Sequence, residues 1–229
     1  RSNLKIMLND CFYSNTFNFE LIDDKNWLDE HKKNSQAITF NNRLCISPSW
    51  ITPPKHVPAI LKLDPGLAFG TGEHSTTSLC LERLSEISLG SKSIVDYGCG
   101  SGILALAALK LNAKKALGID TDPQALAASK KNAQINNLDH AIELAFPEDA
   151  KVTDWLGKAD IVIANILANP IKNLATTLLN MLTPDGTLIL SGILETQAPE
   201  IISHYHRFLS LEQKKNKNGW VLLQGEVDN

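Results

Sequence analysis

From about residue 61 onward, short apolar runs alternate with longer segments whose apolar residues recur at helical spacing. The runs that predict strands read SIVDYG, KALGID, AIELAF, ADIVIANIL and GTLILSGIL. The segments that predict helices read ILALAALKL, DPQALAASKKNAQI, PIKNLATTLLNML and APEIISHYHRFL. Such alternation is typical of a mostly parallel sheet with helices on both faces, so the sequence predicts an α/β fold.

Turn and cap residues mark the ends of several of these elements. Asp122 followed by Pro123, and Asn169 followed by Pro170, have the N-cap and first-turn pattern that predicts two helix starts. Near the C-terminus, Asn218-Gly219 lies between two strand-like segments and predicts an antiparallel hairpin. The stretch KKNKN, Lys214 to Asn218, predicts a solvated hairpin tip.

The first 50 residues or so have a different character: they are polar and rich in asparagine. FNFELI alternates like a strand, DDKNWLDEHKK predicts a short exposed helix, and the four prolines of SPSWITPPKHVP predict an extended linker. This segment is short for an independent fold. We therefore predict a division of the chain into residues 1–45 and residues 46–229.

The composition of the chain argues against several classes of protein. The chain has 22 lysines and arginines against 25 acidic residues, a net charge of -3, so it lacks the broad basic field of a DNA-binding protein. The four cysteines are scattered without a C-x-x-C pair, which argues against disulfides and zinc and favours the cytoplasm. The longest apolar run is far shorter than the roughly 20 residues of a membrane span, and the N-terminus has no signal-peptide pattern.

A glycine-rich turn stands between the first predicted strand and its helix. In VDYGCGSG, Asp96 is followed by Gly98, Gly100 and Gly102, a spacing that differs from the G-x-G-x-x-G of dinucleotide-binding proteins. Glycines there let a ligand lie against the backbone, and the upstream carboxylate suits a ligand with a cationic amino group. A tight turn that serves packing alone is the alternative.

Two further strand ends carry ligand-binding side chains. Asp120, in GIDTDP, can accept hydrogen bonds from both hydroxyls of a ribose. A nucleoside that also carries an amino acid is S-adenosylmethionine. Asn165, in ADIVIANIL, places an amide at the same edge of the sheet, where its oxygen can hold an attacking amine; an ordering role before Pro170 is the alternative.

The loop LDPGLAFGTGEHSTT, which ends at Thr77, contains three glycines but no lysine or arginine. A triphosphate site of the Gly-Lys-Ser/Thr type is therefore excluded. Histidines elsewhere give little sign of a metal: His204 and His206 have no third ligand at suitable spacing, and no metal is expected.

With these motifs, the sequence resembles the class I S-adenosylmethionine-dependent methyltransferases, and more closely the ribosomal protein L11 methyltransferase family, the PrmA type. The segments that carry the resemblance are LDPGLAFGTGEHSTTSLCL, VDYGCGSGILALAALKL, GIDTDPQA, ANILANPI, CISPSW and LSGIL. The resemblance implies a Rossmann-like fold, with a mostly parallel seven-stranded sheet that ends in an antiparallel hairpin. It also implies methylation of amino groups of ribosomal protein L11, on lysine side chains, the N-terminus or both.

The family's site residues map onto this chain without substitution. The resemblance implies a cofactor site made by Thr77, Gly98, Asp120 and Asn165, with Phe69 and His74 close to the transferred methyl group. Residues 1–45 then correspond to the remnant of a substrate-recognition domain and its linker helix, and residues 46–229 to the catalytic domain. We expect most of the recognition domain to lie outside this chain, and we expect a monomer, although the sequence does not define the oligomeric state.

Other functions stay open at this point. The chain can be an amine methyltransferase for another protein or a small molecule, or a non-catalytic module that binds an adenine cofactor. The Asn-Ile-Leu-Ala turn offers no aromatic side chain for stacking, which argues against adenine or glutamine as methyl acceptors. No dedicated general base is evident; His74 is the candidate.

Overall fold

A seven-stranded sheet forms the centre of the computed structural model, which describes residues 36–63 and 74–227 of the 229-residue chain. Its strands lie in the order β6-β5-β4-β7-β8-β10-β9. Their bounds are Ser93–Tyr97 (β4), Lys115–Ile119 (β5), Ile142–Ala145 (β6), Ala159–Asn165 (β7), Leu182–Leu194 (β8), Glu212–Lys217 (β9) and Trp220–Glu226 (β10).

The sheet is mostly parallel. Strands β4 to β8 pair in parallel, whereas β10 pairs antiparallel with both β8 and β9. The β9–β10 turn falls at Asn218 and Gly219, which both have positive φ angles (52° and 78°). Such angles are the geometry that an Asn-Gly turn supplies at low cost. The predicted α/β fold and C-terminal hairpin are therefore confirmed.

Helices cover both faces of the sheet. They are Ser75–Glu86 (α1), Ile103–Lys110 (α2), Pro123–Ile135 (α3), Ala150–Thr153 (α4), Ala168–Asn173 (α5), Ala175–Met181 (α6) and Ala198–Tyr205 (α7). A short 3₁₀ turn, Glu195–Gln197, precedes α7. Every residue of α2 from Ile103 to Leu109 is buried, as expected of a helix that is apolar all round.

One of the two predicted helix starts is correct. Asp122 is the N-cap of α3 and its carboxylate accepts a hydrogen bond from the Gln124 backbone N–H, with Pro123 at the first position. The prediction of Asn169 as an N-cap is wrong, because the N-cap of α5 is Leu167 and Pro170 lies at the third helical position. Proline is tolerated there because the first-turn N–H groups have no intrahelical acceptor.

The segment PIKNLATTLLNML, predicted as one helix, forms two. Helix α5 ends at Asn173 and α6 begins at Ala175, and Leu174 between them has φ −92° and ψ 3°. Apolar residues recur at helical spacing through both helices, so the sequence pattern does not reveal the break.

A second, smaller sheet has three strands that the sequence pattern did not predict. They are Ile38–Phe40 (β1), Leu44–Ser47 (β2) and Ala59–Lys62 (β3), in the order β1-β2-β3. Residues 48–58 between β2 and β3 contain no helix or strand, in agreement with the predicted linker. The predicted boundary between residues 45 and 46 lies inside β2. The division into domains stays a prediction, because the FNFELI and DDKNWLDEHKK segments lie outside the described residues.

The side chain of Asn136 joins the small sheet to the helix layer. Its amide oxygen accepts a hydrogen bond from the Lys62 N–H (2.8 Å) and its amide nitrogen donates to the Lys62 carbonyl (2.7 Å). This two-point pairing occupies the free edge of β3 as another strand would. Within the described ranges, no helix is long and apolar enough to cross a membrane.

Candidate active site

A cavity of about 710 Å³ opens at the carboxyl ends of β4, β5 and β7. This is the edge at which open α/β sheets bind their ligands. The described residues that line it include no lysine or arginine; they are His74, Thr76, Tyr97, Gly98, Gly100, Asp120, Thr121, Pro147, Asn165, Ile166, Leu167, Pro170, Leu174, Gly192 and Trp220. The cavity therefore brings together five of the residues predicted from the sequence: His74, Gly98, Gly100, Asp120 and Asn165.

The glycine-rich turn forms the floor of this cavity. Gly98, Gly100 and Gly102 have φ angles of 79°, 55° and 77°, a region that glycine adopts without strain. The N–H groups of Gly98 and Cys99 both donate to the Ile119 carbonyl, at 2.8 and 2.9 Å, which fastens the turn to the end of β5. Cys99 itself is buried, in keeping with a packing role.

Helix α3 holds the same turn from behind. The Ser129 hydroxyl donates to the Gly100 carbonyl at 2.8 Å, and the Asn132 amide donates to the Ser101 carbonyl at 2.9 Å. A Cβ on Gly102 would lie 2.8 Å from the Ser129 oxygen, so this glycine also permits close packing of the turn on α3. Gly102 thus supports the cavity from outside its wall.

Asp120 connects the turn to the next strand. Its Oδ2 accepts a hydrogen bond from the Gly100 N–H at 2.8 Å, and its Oδ1 accepts from the Asp122 N–H at 3.0 Å. A carboxylate offers about four acceptor sites in all, so each oxygen retains capacity for a ligand. Asp120 is therefore both fixed in orientation and able to accept further hydrogen bonds from the cavity.

Asp96 lies behind the turn and is only 1% exposed. Its Oδ2 accepts from the Ala105 N–H at 3.1 Å and so caps an N–H group in the first turn of α2. Its Oδ1 is buried and has no hydrogen-bond partner in the described part of the chain. Burial, together with the charge of Asp120, raises the pKa of Asp96 to about 7.

Asn165, at the end of β7, contacts Thr77 on α1. The amide nitrogen of Asn165 donates to the Thr77 hydroxyl at 3.2 Å. The amide oxygen is buried and, among residues 36–63 and 74–227, has no hydrogen-bond partner. Buried polar atoms are rarely left unpaired, and Asn165 lines the cavity, so a ligand that donates a hydrogen bond suits this residue.

His74 lies at the start of α1, where it is the N-cap residue. Its Nδ1 accepts from the Thr76 N–H at 3.4 Å and lies 2.8 Å from the Thr76 hydroxyl. Its ring packs edge-to-face on Trp220, with the ring centroids 5.4 Å apart. The histidine thus has a structural role in the cavity wall, whatever part it takes in chemistry.

Ile166 lies between Gly98, which directly follows β4, and Gly192 on β8. A Cβ on Gly98 would lie 2.4 Å from the Ile166 Cγ2, and a Cβ on Gly192 would lie 2.2 Å from the Ile166 carbonyl oxygen. Gly192 also has a φ of 82°. The chain directly after Asn165 can therefore reach the cavity because the residues on either side of it, Gly98 and Gly192, have no side chains.

Several wall residues were not found from the sequence. Trp220 and Gly192 come from β10 and β8, late in the chain, and only the antiparallel hairpin brings Trp220 beside His74. The position of Thr121 directly after Asp120 at a strand end is a signal that would have found it. Phe69, predicted to lie near the transferred methyl group, is outside the described residues.

His204 takes part in ordinary packing. The Nε2 of His204 lies 3.1 Å from the Lys172 carbonyl, and its ring packs against Tyr205. Across the described ranges, no group of three histidine, cysteine, aspartate or glutamate side chains is arranged to hold a metal ion. The described cysteines, Cys45, Cys80 and Cys99, are unpaired and buried.

Comparison with known proteins places this architecture in a family. The family model described as "Ribosomal protein L11 methyltransferase (PrmA)" matches residues 3–228. The ribosomal protein L11 methyltransferase of Haemophilus influenzae strain PittEE is 47% identical over 215 residues, which is 93% of this chain and 72% of that protein. The protein of the same name from Tolumonas auensis is 45% identical over 209 residues, 91% of this chain and 70% of that protein.

Solved structures agree with these sequence matches. A ribosomal protein L11 methylase from Lactobacillus delbrueckii subsp. bulgaricus superposes with a TM-score of 0.74 at 32% identity, and the match covers 85% of this chain and all of that chain (100%). An RNA methyltransferase from Salinibacter ruber, solved with S-adenosyl-L-homocysteine, superposes with a TM-score of 0.51 at 16% identity. The match covers 65% of this chain and 90% of that chain, and it shows a similarity of fold alone. The predicted class I methyltransferase fold is confirmed, and the chain belongs to the ribosomal protein L11 methyltransferase (PrmA) family.

Proposed function

We propose that this protein transfers methyl groups from S-adenosylmethionine to amino groups of ribosomal protein L11, on lysine side chains, the N-terminus or both. The names of its relatives support the substrate, and the S-adenosyl-L-homocysteine bound to the Salinibacter ruber enzyme supports the cofactor. The observation in this chain that carries the proposal is that one cavity is lined by both Asp120, with its carboxylate, and Asn165, whose amide oxygen has no hydrogen-bond partner among the described residues.

The residues of the cavity fit the proposed cofactor. Asp120 would accept hydrogen bonds from the ribose hydroxyls, and Gly98 and Gly100 would let the ligand lie close to the backbone. When bound, S-adenosylmethionine supplies an electrophilic methyl group on a positively charged sulfur. The absence of lysine and arginine from the described cavity wall avoids repulsion of that charge.

Three of the residues predicted from the sequence lie outside the described cavity lining. In our proposal Asp96, Gly102 and Thr77 belong to the cofactor site by shaping the turn and orienting its neighbours. Asp96 caps the first turn of α2, and Gly102 lets the turn pack on Ser129. The Asp96 carboxylate also contributes negative charge towards a cationic amino group in the cavity whenever it is ionised.

On the acceptor side, Asn165 is the residue that we assign to the reacting amine. A lysine amine has a reference pKa of about 10.4, so it must lose a proton before it can react. Ile166, Leu167, Pro170 and Leu174 form an apolar stretch of the wall, which disfavours the charged form of an amine placed there. The buried Asn165 oxygen would then accept an N–H of the neutral amine and direct its lone pair.

His74 and Phe69 complete the proposed acceptor site. His74 lines the cavity and is the proposed candidate for taking up the proton, although its N-cap bond and its contact with Trp220 also favour a packing role. Phe69 is assigned next to the methyl group on the family resemblance. The proposal includes a cytoplasmic, monomeric protein that does not bind DNA, with residues 1–45 belonging to the substrate-recognition domain and its linker.

Calorimetric titration with S-adenosylmethionine, S-adenosylhomocysteine and NADH tests the cofactor. We expect saturable binding of the first two, no heat from NADH, and at least about a tenfold weaker Kd for Asp120→Ala, since each charge-assisted hydrogen bond contributes roughly 1.5–3 kcal/mol. The exposed Asp139 provides the matched control, because Asp139→Ala removes the same charge away from the cavity. Binding of NADH, or equal affinities of the two variants, would contradict the assignment.

Mass spectrometry of ribosomal protein L11 after incubation with the protein and labelled S-adenosylmethionine tests the acceptor. We expect the label on L11 amino groups. An L11 variant with every lysine replaced by arginine separates methylation of side chains from methylation of the N-terminus. Labelling of neither position, under conditions in which the cofactor binds, would favour another amine as the substrate.

A further inference from the structure

Leu167 breaks two local rules of protein structure at one position. It is a large apolar side chain that is 68% exposed, and it is also the N-cap residue of α5. An N-cap normally carries a side-chain oxygen that accepts a hydrogen bond from a helix N–H, which leucine cannot do. Residues that break local rules without a compensating gain in stability are expected mainly at functional sites.

The fold of the segment does not account for a leucine at this position. The hydrophobic core on this side of the sheet takes up Ala168 and Ile171 of the same helix, but it does not include Leu167. The backbone carbonyl of Leu167 accepts a hydrogen bond from the Ile171 N–H at 3.2 Å, so the helix begins without help from the leucine side chain. A polar residue would serve as the N-cap at least as well.

The position of Leu167 relative to the cavity suggests what the side chain does. Leu167 lines the cavity two residues after Asn165, to which we assign the reacting amine. Ile166, between them, is held by the close approach of two glycines, so the backbone of this segment has little freedom. A wall residue with so much exposed surface lies at the opening of the cavity, and an amine that enters from solvent therefore passes it.

A second exposed leucine lies beside the cavity on another strand. Leu194, which is 40% exposed, ends β8 two residues after the wall residue Gly192. It is paired with Trp220, another wall residue, in the antiparallel register of β8 and β10. Directly paired residues place their side chains on the same face of a sheet, so Leu194 stands beside Trp220. Exposed apolar surface is thus found at two places along the cavity wall.

We propose that Leu167 is a specificity-determining residue for the methyl acceptor: its side chain packs against the methylene stem of a lysine whose amine reaches Asn165. A lysine carries its charge at the end of a flexible apolar stem, and such stems cover apolar surface while the charged end lies elsewhere. This inference rests on the proposed function. It concerns lysine side chains, because an N-terminal amine is attached directly to the backbone and has no such stem.

Leu167→Ser removes the apolar side chain and supplies an N-cap hydroxyl. We expect kcat/KM for methylation of L11 lysines to fall roughly tenfold, mainly through KM, because contact with the stem is equally strong before and during methyl transfer. The Kd for S-adenosylhomocysteine should change less than about twofold, and the melting temperature should equal or exceed that of the wild type, because serine is the better N-cap. Leu167→Met, which keeps an apolar side chain of similar size, should retain the wild-type kcat/KM.

The matched control is Leu156→Ser. Leu156 is another exposed leucine (46%), and it lies outside the described cavity lining, so this change should leave kcat/KM for L11 unaltered. A kcat/KM for Leu167→Ser within about twofold of the wild type would overturn the inference. A loss of activity that is matched by a raised Kd for S-adenosylhomocysteine would also overturn it, because the side chain would then act on the cofactor.

An NMR titration without methyl transfer separates this inference from the proposed function. The complex with S-adenosylhomocysteine, carrying isotope-labelled leucine methyl groups, is titrated with Nα-acetyl-lysine amide. The methyl signals of Leu167, assigned by their absence from the spectrum of Leu167→Met, should shift saturably, whereas those of Leu156 should not. Absent shifts, or equal shifts at both leucines, would overturn the inference even if L11 is methylated. Shifts at Leu167 in a protein that fails to methylate L11 would instead contradict the proposed function and leave the contact with the lysine stem standing.

Discussion

Replacing Asp96 with asparagine removes a carboxyl group that the fold buries almost completely. Its pKa rises from an ordinary value of 3.8 to about 7, mainly because burial disfavours the charged form. The folded protein therefore binds this proton more tightly than the unfolded chain does. The stability that the protonated carboxyl contributes is fully present below pH 3.8 and is lost as the pH rises through about 7.

The size of the effect follows from linkage. Each pH unit between the two pKa values changes the free energy of unfolding by about 1.36 kcal/mol. Between about pH 5 and pH 7 the wild-type protein should lose about 2 kcal/mol that an uncharged side chain at this position would keep. The bond that caps α2 can survive the substitution, because the amide oxygen of the Asp96→Asn variant can still accept from the Ala105 N–H.

Urea unfolding followed by tryptophan fluorescence, at several pH values and constant ionic strength without ligand, measures this difference. The free energy of unfolding of the wild type should fall relative to that of Asp96→Asn as the pH rises, and the gap should level off above about pH 7. Asp139→Asn, a change at an exposed aspartate, should follow the wild type at every pH. Parallel curves for the wild type and Asp96→Asn would refute the burial argument.

Two further changes test the packing of the site and of the core. In thermal unfolding, Gly98→Ala should destabilise the protein by more than about 1 kcal/mol, because Gly98 has a φ of 79° and a Cβ there would lie 2.4 Å from the Ile166 side chain. The control Gly90→Ala should have little effect in the same assay, because a Cβ on Gly90 would have no atom within 4 Å. Tyr205→Phe should cost about 1–2 kcal/mol in urea unfolding, because the buried hydroxyl donates to the Ile171 carbonyl at 2.8 Å; a cost near zero would show that this bond contributes no net stability.

The elements that the sequence predicted well are those whose local pattern is enough to define them. The runs that became β4 to β8 are mainly apolar, and the Asn-Gly hairpin is set by two residues that accept positive φ angles. The break between α5 and α6 and the small sheet β1-β2-β3 were missed. The small sheet depends on contacts with distant residues, as in the pairing of Lys62 with Asn136.

The same distinction applies to the candidate site. Asp120 and Asn165 were found because parallel strands end at one edge of the sheet, so their positions in sequence predict their neighbourhood in space. That Thr77 and Asp96 lie behind the wall, and that Trp220 lies within it, depends on how α1 and the hairpin pack on the sheet. Periodicity carries no information about such packing.

The wedge of Ile166 between Gly98 and Gly192 constrains how this protein can vary during evolution. A side chain at either glycine would collide with residue 166, at its side chain in one case and at its backbone in the other. A smaller residue 166 could make room for alanine at position 98, but no choice of residue 166 removes the backbone oxygen that excludes a side chain at position 192. A smaller residue 166 should therefore lessen the cost of a substitution at position 98, where the φ of 79° still disfavours any side chain, whereas position 192 should accept none.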